Sequence, residues 1–365
     1  MALGRPLQGR EARISAACGF GACATRRRHP RVRVAVTGST GLVGSALAGA
    51  LGGAGHQVIH LVRRPVELAV SAGPSPTPSP DGRGLPASAG AAPGAARTSP
   101  SAREEVSWNP DAGTIDALAL RGIDAVIHLA GARIGLRWTP EQKALMRNSR
   151  VRGTSLIART VAELDPKPKV LICASAYGYY GDRGDEILTE DSPPGSGFLA
   201  DVCQEWEAAA QPARDAGVRV VHTRFGIVLA PNGGALTQMK RVFRSGLGGR
   251  LGKGKQWWPW IAIEDAVAAL CFVLERETVR GPVNVVSPRV VTNAEFARTL
   301  AKVLSRPAIF PAPSWAVSML LGEAGREMLL ASQRIVPAQL QKAGFQWLLP
   351  DLEIALRRHA APLKS

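Results

Sequence analysis

The segment VRVAVTGSTGLVGSAL (residues 32–47) decides the fold. A short run of apolar and β-branched residues ends at Thr37 and Gly38, and two more glycines follow at Gly41 and Gly44. In this spacing the first glycine permits a tight turn, the second lets backbone N–H groups approach a pyrophosphate, and the third lets helix and strand pack closely. The helix that follows presents unpaired N–H groups to the phosphates. The segment predicts a dinucleotide-binding site, with a purely structural glycine turn as the alternative.

The rest of the chain repeats the alternation of strand and helix. Apolar strand-like runs occur at 56–62, 124–131, 168–175 and 218–230, and helical runs at 139–164 and 200–216 lie between them. Such alternation is typical of a parallel sheet covered on both faces. We therefore predict an α/β fold, a Rossmann-type doubly wound parallel sheet with a smaller C-terminal substrate lobe. The sheet domain is predicted over 32–230 and the lobe over 231–365.

Two segments differ in composition from this core. Residues 1–31 are rich in arginine and alanine and nearly free of acids, which is typical of an organellar transit peptide. A disordered N-terminal tail without a targeting role is the alternative. Residues 71–102 are almost entirely Pro, Ser, Gly and Ala, and cannot bury enough apolar surface to offset their ordering entropy. We predict a disordered surface insertion there.

Charge and cysteine content exclude several classes of function. The net charge is +16, but the basic excess is scattered outside the N-terminal segment and is not interleaved with aromatic residues. We therefore expect no nucleic-acid partner. No apolar run reaches the roughly 18 residues of a membrane span, which leaves peripheral association as the only membrane contact open. The five cysteines form no CxxC pair, so we expect neither a disulfide framework nor a metal site.

The end of the second predicted strand indicates which dinucleotide is bound. NAD sites place an acid there for the ribose 2′-hydroxyl, whereas this chain reads LVRRP, with Arg63 and Arg64 at that point. A guanidinium pairs with a 2′-phosphate, which a carboxylate would repel. We therefore predict NADP(H) rather than NAD(H), bound through Arg63, with Arg64 as a solvated charge. The small residues of HLAG (128–131) would let the backbone lie against the adenine and ribose.

Several motifs together resemble one protein family. They are TGSTGLVG, HLAG, SAYGYYG, TEDSPPGSGFLADVCQEWE, RFGIVLAPNGGAL, GLGGRLGKGKQWWPWI and LSRPAIFPAPSW. The chain resembles, over about 32–360, the epimerase family of atypical short-chain dehydrogenases/reductases. The resemblance implies an NAD-dependent epimerase/dehydratase domain followed by a C-terminal domain of unknown function at about 306–360. Plant members are plastid proteins linked to plastid division, which implies a chloroplast, with the mitochondrion as the alternative.

The resemblance also implies a set of cofactor contacts. They are Thr37, Gly38, Gly41, Leu42, Val43, Gly44, Arg63, Leu129, Ala130, Gly131, Arg150 and Val228.

The usual catalytic pair of these reductases is absent from the sequence. A YxxxK motif normally supplies a tyrosine whose pKa is lowered by the lysine. None of the three tyrosines is followed by lysine four residues later, and the expected helix reads GFLADVCQEWE instead. There Phe198 or Leu199 replaces the tyrosine, and Val202 or Cys203 replaces the lysine.

Three other residues remain as catalytic candidates, namely Ser175, Tyr177 and Tyr180, with a structural role as the alternative for each. A glycine-rich loop with Arg250 and Lys253 precedes three tryptophans and could receive an anionic small substrate. The leading hypothesis is an NADP(H)-dependent oxidoreductase or nucleotide-sugar epimerase-like enzyme. The alternative is a non-catalytic NADPH-binding scaffold or sensor in plastid division.

Overall fold

The computed structural model describes residues 31–64, 104–135, 138–308 and 310–360. The predicted transit-like segment 1–31, apart from its last residue, and the predicted insertion 71–102 lie outside these ranges. Both stay predictions, as does the chloroplast or mitochondrial location inferred from the first of them.

The centre of the molecule is an eight-stranded sheet with the order β12-β8-β6-β5-β1-β2-β3-β4. Its strands are β1 (Arg33–Thr37), β2 (Gln57–Arg63), β3 (Glu104–Asn109), β4 (Thr114–Ile115), β5 (Ala125–His128), β6 (Val170–Ala176), β8 (Arg219–Phe225) and β12 (Gly281–Val285). Every pairing is parallel except that of β3 with β4. This is the Rossmann-type sheet that the sequence predicts.

Helices cover both faces of the sheet. They are α1 (Leu42–Gly53), α2 (Pro140–Glu163), α3 (Phe198–Ala208), α4 (Gln211–Asp215) and α6 (Ile263–Glu275). Alternate strand residues point to opposite faces, so Val34 and Val36 enter one apolar core with α1 and α6, while Ala35 enters the other with α2 and α4. The fold class is therefore confirmed as α/β and doubly wound.

The remaining elements form the smaller lobe and its connections. The helices are α5 (Gly234–Arg244), α7 (Asn293–Leu304), α8 (Ser314–Gly325), α9 (Ala338–Lys342) and α10 (Leu352–Ala360), with a short π-helix at Arg326–Leu330. Three two-stranded ladders pair β7 (Ile187–Leu188) with β14 (Arg334–Ile335), β9 (Ile227–Leu229) with β11 (Trp260–Ala262), and β10 (Trp257–Trp258) with β13 (Val291–Thr292). Trp258, Trp260 and Phe296 pack in the core of this lobe.

Besides β3 and β4, which no predicted strand covers, the structure differs from the sequence-based prediction at three places. The strand β12 falls in the predicted lobe but pairs with β8 of the central sheet, so the sheet extends past residue 230. The predicted strand 218–230 divides at Gly226, where a Cβ atom would lie 2.9 Å from the Pro259 carbonyl oxygen. The predicted helix 200–216 divides into α3 and α4. Within the described ranges, no helix is long and apolar enough to cross a membrane.

Candidate functional site

The glycine loop lies between the carboxyl end of β1 and the amino end of α1. Gly38 has φ of +66°, and a Cβ atom on Gly44 would lie 2.2 Å from the Gly38 carbonyl oxygen. Only glycine therefore allows the loop and the helix to approach so closely. The N-cap residue Gly41 provides no side-chain cap, and the first turn of α1 has no acidic residue. The backbone N–H groups of the first turn of α1 therefore form a site suited to an anionic pyrophosphate.

The side chain of Thr37 ties this loop to the next strand. Its Oγ1 accepts hydrogen bonds from the N–H groups of Leu129 (3.1 Å) and Ala130 (3.2 Å), and lies 2.7 Å from Nδ1 of His128. A Cβ atom on Gly38 would lie 2.9 Å from the backbone nitrogen of Ala130. The glycine loop and the predicted adenine-ribose segment are thus held in direct contact.

Two further pairs of predicted cofactor residues lie at the same edge. A Cβ atom on Gly234 would lie 3.0 Å from Leu42 Cδ2 and 3.7 Å from the Val228 carbonyl oxygen, which brings Leu42 and Val228 to one glycine turn. The Arg150 guanidinium lies against Gly131, where a Cβ atom would be 3.5 Å from Cζ. Burial lowers the pKa of Arg150 from its ordinary value.

The two arginines after β2 have different surroundings. Arg64 Nη2 pairs with Glu105 Oε2 at 2.8 Å. Arg63 instead lies over the ring of Trp108, with Cζ 5.7 Å from the ring centroid. Among the described residues no carboxylate forms an ion pair with Arg63. Its positive charge therefore remains available at the edge where the sequence predicts the 2′-phosphate.

The candidate Ser175 belongs to a buried polar cluster. Its Oγ donates to Glu207 Oε1 at 2.7 Å, and Glu207 accepts two further hydrogen bonds of 2.8 Å from Arg224. The side chains of Arg224 and Glu207 are 3% and 13% exposed. Burial raises the pKa of Glu207, but the hydrogen bonds and charge of Arg224 outweigh it, so the pKa lies below its ordinary value. The hydroxyl proton of Ser175 is thus engaged in a hydrogen bond to the Glu207 carboxylate.

The candidate Tyr180 is held by the same cluster. It is 0% exposed, its hydroxyl donates to Asn284 Oδ1 at 2.7 Å, and it accepts from Arg224 Nη1 at 2.9 Å. Burial raises its pKa to about 12 despite the charge of Arg224. Both hydrogen-bonding directions of the hydroxyl are occupied by partners distant in sequence, which favours a structural role for Tyr180.

The candidate Tyr177 differs from both. It directly follows β6 and is only half buried, and the described residues form no hydrogen bond with its hydroxyl. Burial, with a smaller contribution from Cys203, raises its pKa to about 12. The catalytic assignment of all three candidates stays a prediction, and the geometry favours Tyr177.

The helix α3 carries the positions where the usual catalytic pair would stand. A Cβ atom on Gly178 would lie 3.0 Å from Leu199 Cβ, and Cys203 Sγ donates to the Ala176 carbonyl oxygen at 3.8 Å. Leu199 and Cys203 therefore face the end of β6, as a tyrosine and a lysine would in a YxxxK helix. Burial raises the pKa of Cys203 to about 12, so it stays a neutral thiol.

Arg250 and Lys253 of the glycine-rich loop are exposed, whereas the tryptophans that follow are engaged in contacts. Trp257 Nε1 donates to Asp185 Oδ1 at 2.8 Å, and the Arg334 guanidinium lies 4.7 Å from the centroid of its ring. Arg250 lines a cavity of about 460 Å³ together with Arg298. The structure thus engages Trp257 in polar and cation–π contacts and buries Trp258 and Trp260 in the lobe core. The anionic substrate stays a prediction.

Three residues of the site were missed by sequence reasoning. Arg224 stands in an otherwise apolar strand, a pattern that signals a buried ion pair, but nothing in the sequence identifies Glu207 as its partner. Trp108 lies in β3, directly after the insertion, where alternating polar residues obscure the strand.

Comparison with known proteins decides the family. Residues 34–286 match the NAD dependent epimerase/dehydratase family. The chain belongs to this family. Residues 312–358 match a domain of unknown function, DUF1731, close to the C-terminal domain that the resemblance implies at about 306–360.

Individual relatives agree with this assignment. The epimerase family protein Mb2239 of Mycobacterium bovis is 40% identical over 315 residues, which cover 86% of this chain and 93% of the relative. The epimerase family protein SDR39U1 homolog, chloroplastic, of Arabidopsis thaliana is 33% identical over 333 residues, which cover 91% of this chain and 87% of the relative. The crystal structure of human epimerase family protein SDR39U1 with NADPH superposes with a TM-score of 0.73 at 32% identity, covering 90% of this chain and 99% of that one. The predicted family is confirmed.

Proposed function

We propose that this chain binds NADP(H) at the carboxyl edge of β1, β2 and β5 and reduces a small carbonyl substrate. The observation that carries the proposal is the difference between two adjacent arginines. Glu105 neutralises Arg64, whereas no described carboxylate pairs with Arg63. A free guanidinium at the end of the second strand suits a 2′-phosphate. The human relative solved with NADPH supports the same choice.

The residues that would hold the cofactor fit its chemistry. The N–H groups at the start of α1, free of acidic neighbours, would bind the pyrophosphate. The backbone of Leu129 and Ala130, fixed by Thr37, would lie along the adenosine ribose. Leu42 and Val228 would supply apolar contacts across the cleft. When bound, NADPH supplies a hydride to the carbonyl carbon.

Tyr177 would supply the proton that this reduction requires. With a pKa raised to about 12, it is a neutral phenol at pH 7 and can donate to the oxygen that becomes negatively charged. The resulting tyrosinate would recover its proton from water. The same raised pKa opposes the reverse role, because a neutral phenol is a poor base for a substrate hydroxyl.

NADPH consumption with a panel of aldehydes, ketones and keto-sugar nucleotides tests this function. Replacing Tyr177 by phenylalanine should lower kcat by about 100-fold, the range expected for loss of a general acid. Tyr179→Phe is the matched control, because the Tyr179 ring packs on Arg224 and its phenyl face is kept. Unchanged kcat in Tyr177→Phe would remove Tyr177 from the mechanism.

One specific observation favours a second candidate function. Leu199 and Cys203 stand at the positions of the usual catalytic pair, and neither can transfer a proton at neutral pH. A non-catalytic NADPH-binding scaffold or sensor would have the same structure. Tight NADPH binding without oxidation by any member of the carbonyl panel would support that function and contradict the reductase.

A further inference from the structure

The carboxyl ends of four neighbouring strands bring four side chains into one row. Register pairs Arg63 of β2 with Trp108 of β3, and Thr37 of β1 with His128 of β5. In the pairing of β1 with β2, Thr37 lies opposite Leu61, two residues before Arg63, so the ring contact of Trp108 with His128 joins the two pairs. The row runs from the predicted 2′-phosphate site to the glycine loop.

Trp108 is the buried centre of this row. Its side chain is 1% exposed, yet its ring carries the exposed Arg63 guanidinium, with Cζ 5.7 Å from the ring centroid. A guanidinium over an indole is attracted by the negative face of the ring. The ring therefore gives a preferred position to a long, charged side chain that no described carboxylate holds.

The other side of Trp108 meets His128. The two ring centroids are 5.8 Å apart and the ring planes are nearly perpendicular, at 87°. A Cβ atom on Gly153 would lie 3.5 Å from His128 Nε2 and 3.6 Å from Trp108 Cη2, so α2 packs closely against both rings at this position. His128 thus packs against the Trp108 indole and restricts its orientation.

His128 is itself fixed by the glycine loop. Thr37 Oγ1 already accepts from two backbone N–H groups, so its own proton is directed to His128 Nδ1, 2.7 Å away. The ring proton of the neutral histidine therefore lies on Nε2, which has no hydrogen-bond partner within the described part of the chain. Burial, with the charge of Arg63, lowers the pKa of His128 to about 3 and keeps it neutral.

We propose that Trp108 is a positioning residue for cofactor specificity, holding the Arg63 guanidinium at the sheet edge where the 2′-phosphate of NADPH would bind. This inference rests on the proposed NADP(H) binding. It gives β3 a role in the discrimination between NADPH and NADH, although β3 contributes none of the predicted cofactor contacts. A purely structural role for Trp108 would instead weaken the binding of both cofactors together.

Dissociation constants for NADPH and NADH, measured by calorimetry, test the proposal. Trp108→Leu should weaken NADPH binding about threefold to fivefold, the range of one exposed cation–π contact, and leave NADH unchanged. Trp108→Phe keeps an aromatic face and should retain most of the preference. Equal loss for both cofactors, or no loss for either, would overturn the proposal.

A double-mutant cycle with Arg63→Ala separates this inference from the proposed function. If Trp108 acts through Arg63, Trp108→Leu should add no further loss of NADPH affinity once Arg63 is alanine. An additive loss would contradict the positioning role while leaving Arg63 as the phosphate ligand. Equal effects of Arg63→Ala on both cofactors would contradict the NADP(H) assignment itself. Where Trp108→Leu does not fold, the comparison of Trp108→Phe with Trp108→Met provides the same contrast.

Discussion

Replacing Glu207 by glutamine should destabilise the protein strongly. Arg224 is almost fully buried, and Glu207 is the one described carboxylate that forms an ion pair with it. Breaking a buried ion pair from one side costs about 3–5 kcal/mol, because it leaves the other charge without compensation. Glutamine keeps an acceptor oxygen for Arg224 or Ser175, so we expect the lower end, about 3 kcal/mol.

Thermal and urea unfolding measure this loss. At about 1.5–2 °C per kcal/mol for a folded chain of this size, the melting temperature should fall by roughly 5 °C. Glu205→Gln is the matched control, since Glu205 lies on the same helix in a half-exposed pair with Arg147 at 3.3 Å. That pair should contribute less than about 1 kcal/mol. A loss in Glu207→Gln no larger than in the control would refute the view that this ion pair anchors the candidate site.

Two further predictions concern the glycine loop and Asp265, a buried carboxyl group in the first turn of α6. Gly44→Ala should destabilise the fold by about 1–3 kcal/mol and weaken NADPH binding, because the new Cβ atom would meet the Gly38 carbonyl oxygen. Gly49→Ala is the control: there is open space at its Cβ, so it should stabilise α1 by about 0.5–1 kcal/mol. Equal melting temperatures of the two variants would contradict this prediction. Burial raises the pKa of Asp265 from 3.8 to about 6, so the folded state holds the proton more tightly than the unfolded state and stability from this group is lost as pH rises from about 4 to 6. Asp265→Asn should flatten that part of the stability–pH curve, and identical slopes for the two proteins would count against it.

Much of the candidate nucleotide site could be predicted from the sequence because its determinants are local. The strand, the three glycines and the start of the following helix lie within the sixteen residues 32–47, and each glycine has a steric reason to be there. The charge at the end of β2 is equally local, since Arg63 and Arg64 end a recognisable apolar strand. The structure adds that Glu105 neutralises only Arg64.

The roles of the catalytic candidates could not be predicted because they depend on distant partners. Ser175 is bound by Glu207, and Tyr180 by Asn284, which is 104 residues away in the chain. The periodicity of the sequence does not predict which distant side chains form hydrogen bonds with one another. For the same reason the sequence places residues 281–285 in the predicted lobe, although the register of β12 with β8 puts them in the central sheet.

The preference between NADPH and NADH tests the account most directly. Calorimetric titration of the wild type should give a dissociation constant for NADPH at least tenfold below that for NADH, the value of one charge-assisted hydrogen bond. Arg63→Ala should abolish most of that preference by weakening the binding of NADPH alone. Arg64→Ala should keep the preference, because Arg64 is already paired with Glu105. Equal affinity of the wild type for the two cofactors, or a preference that survives Arg63→Ala, would contradict the account.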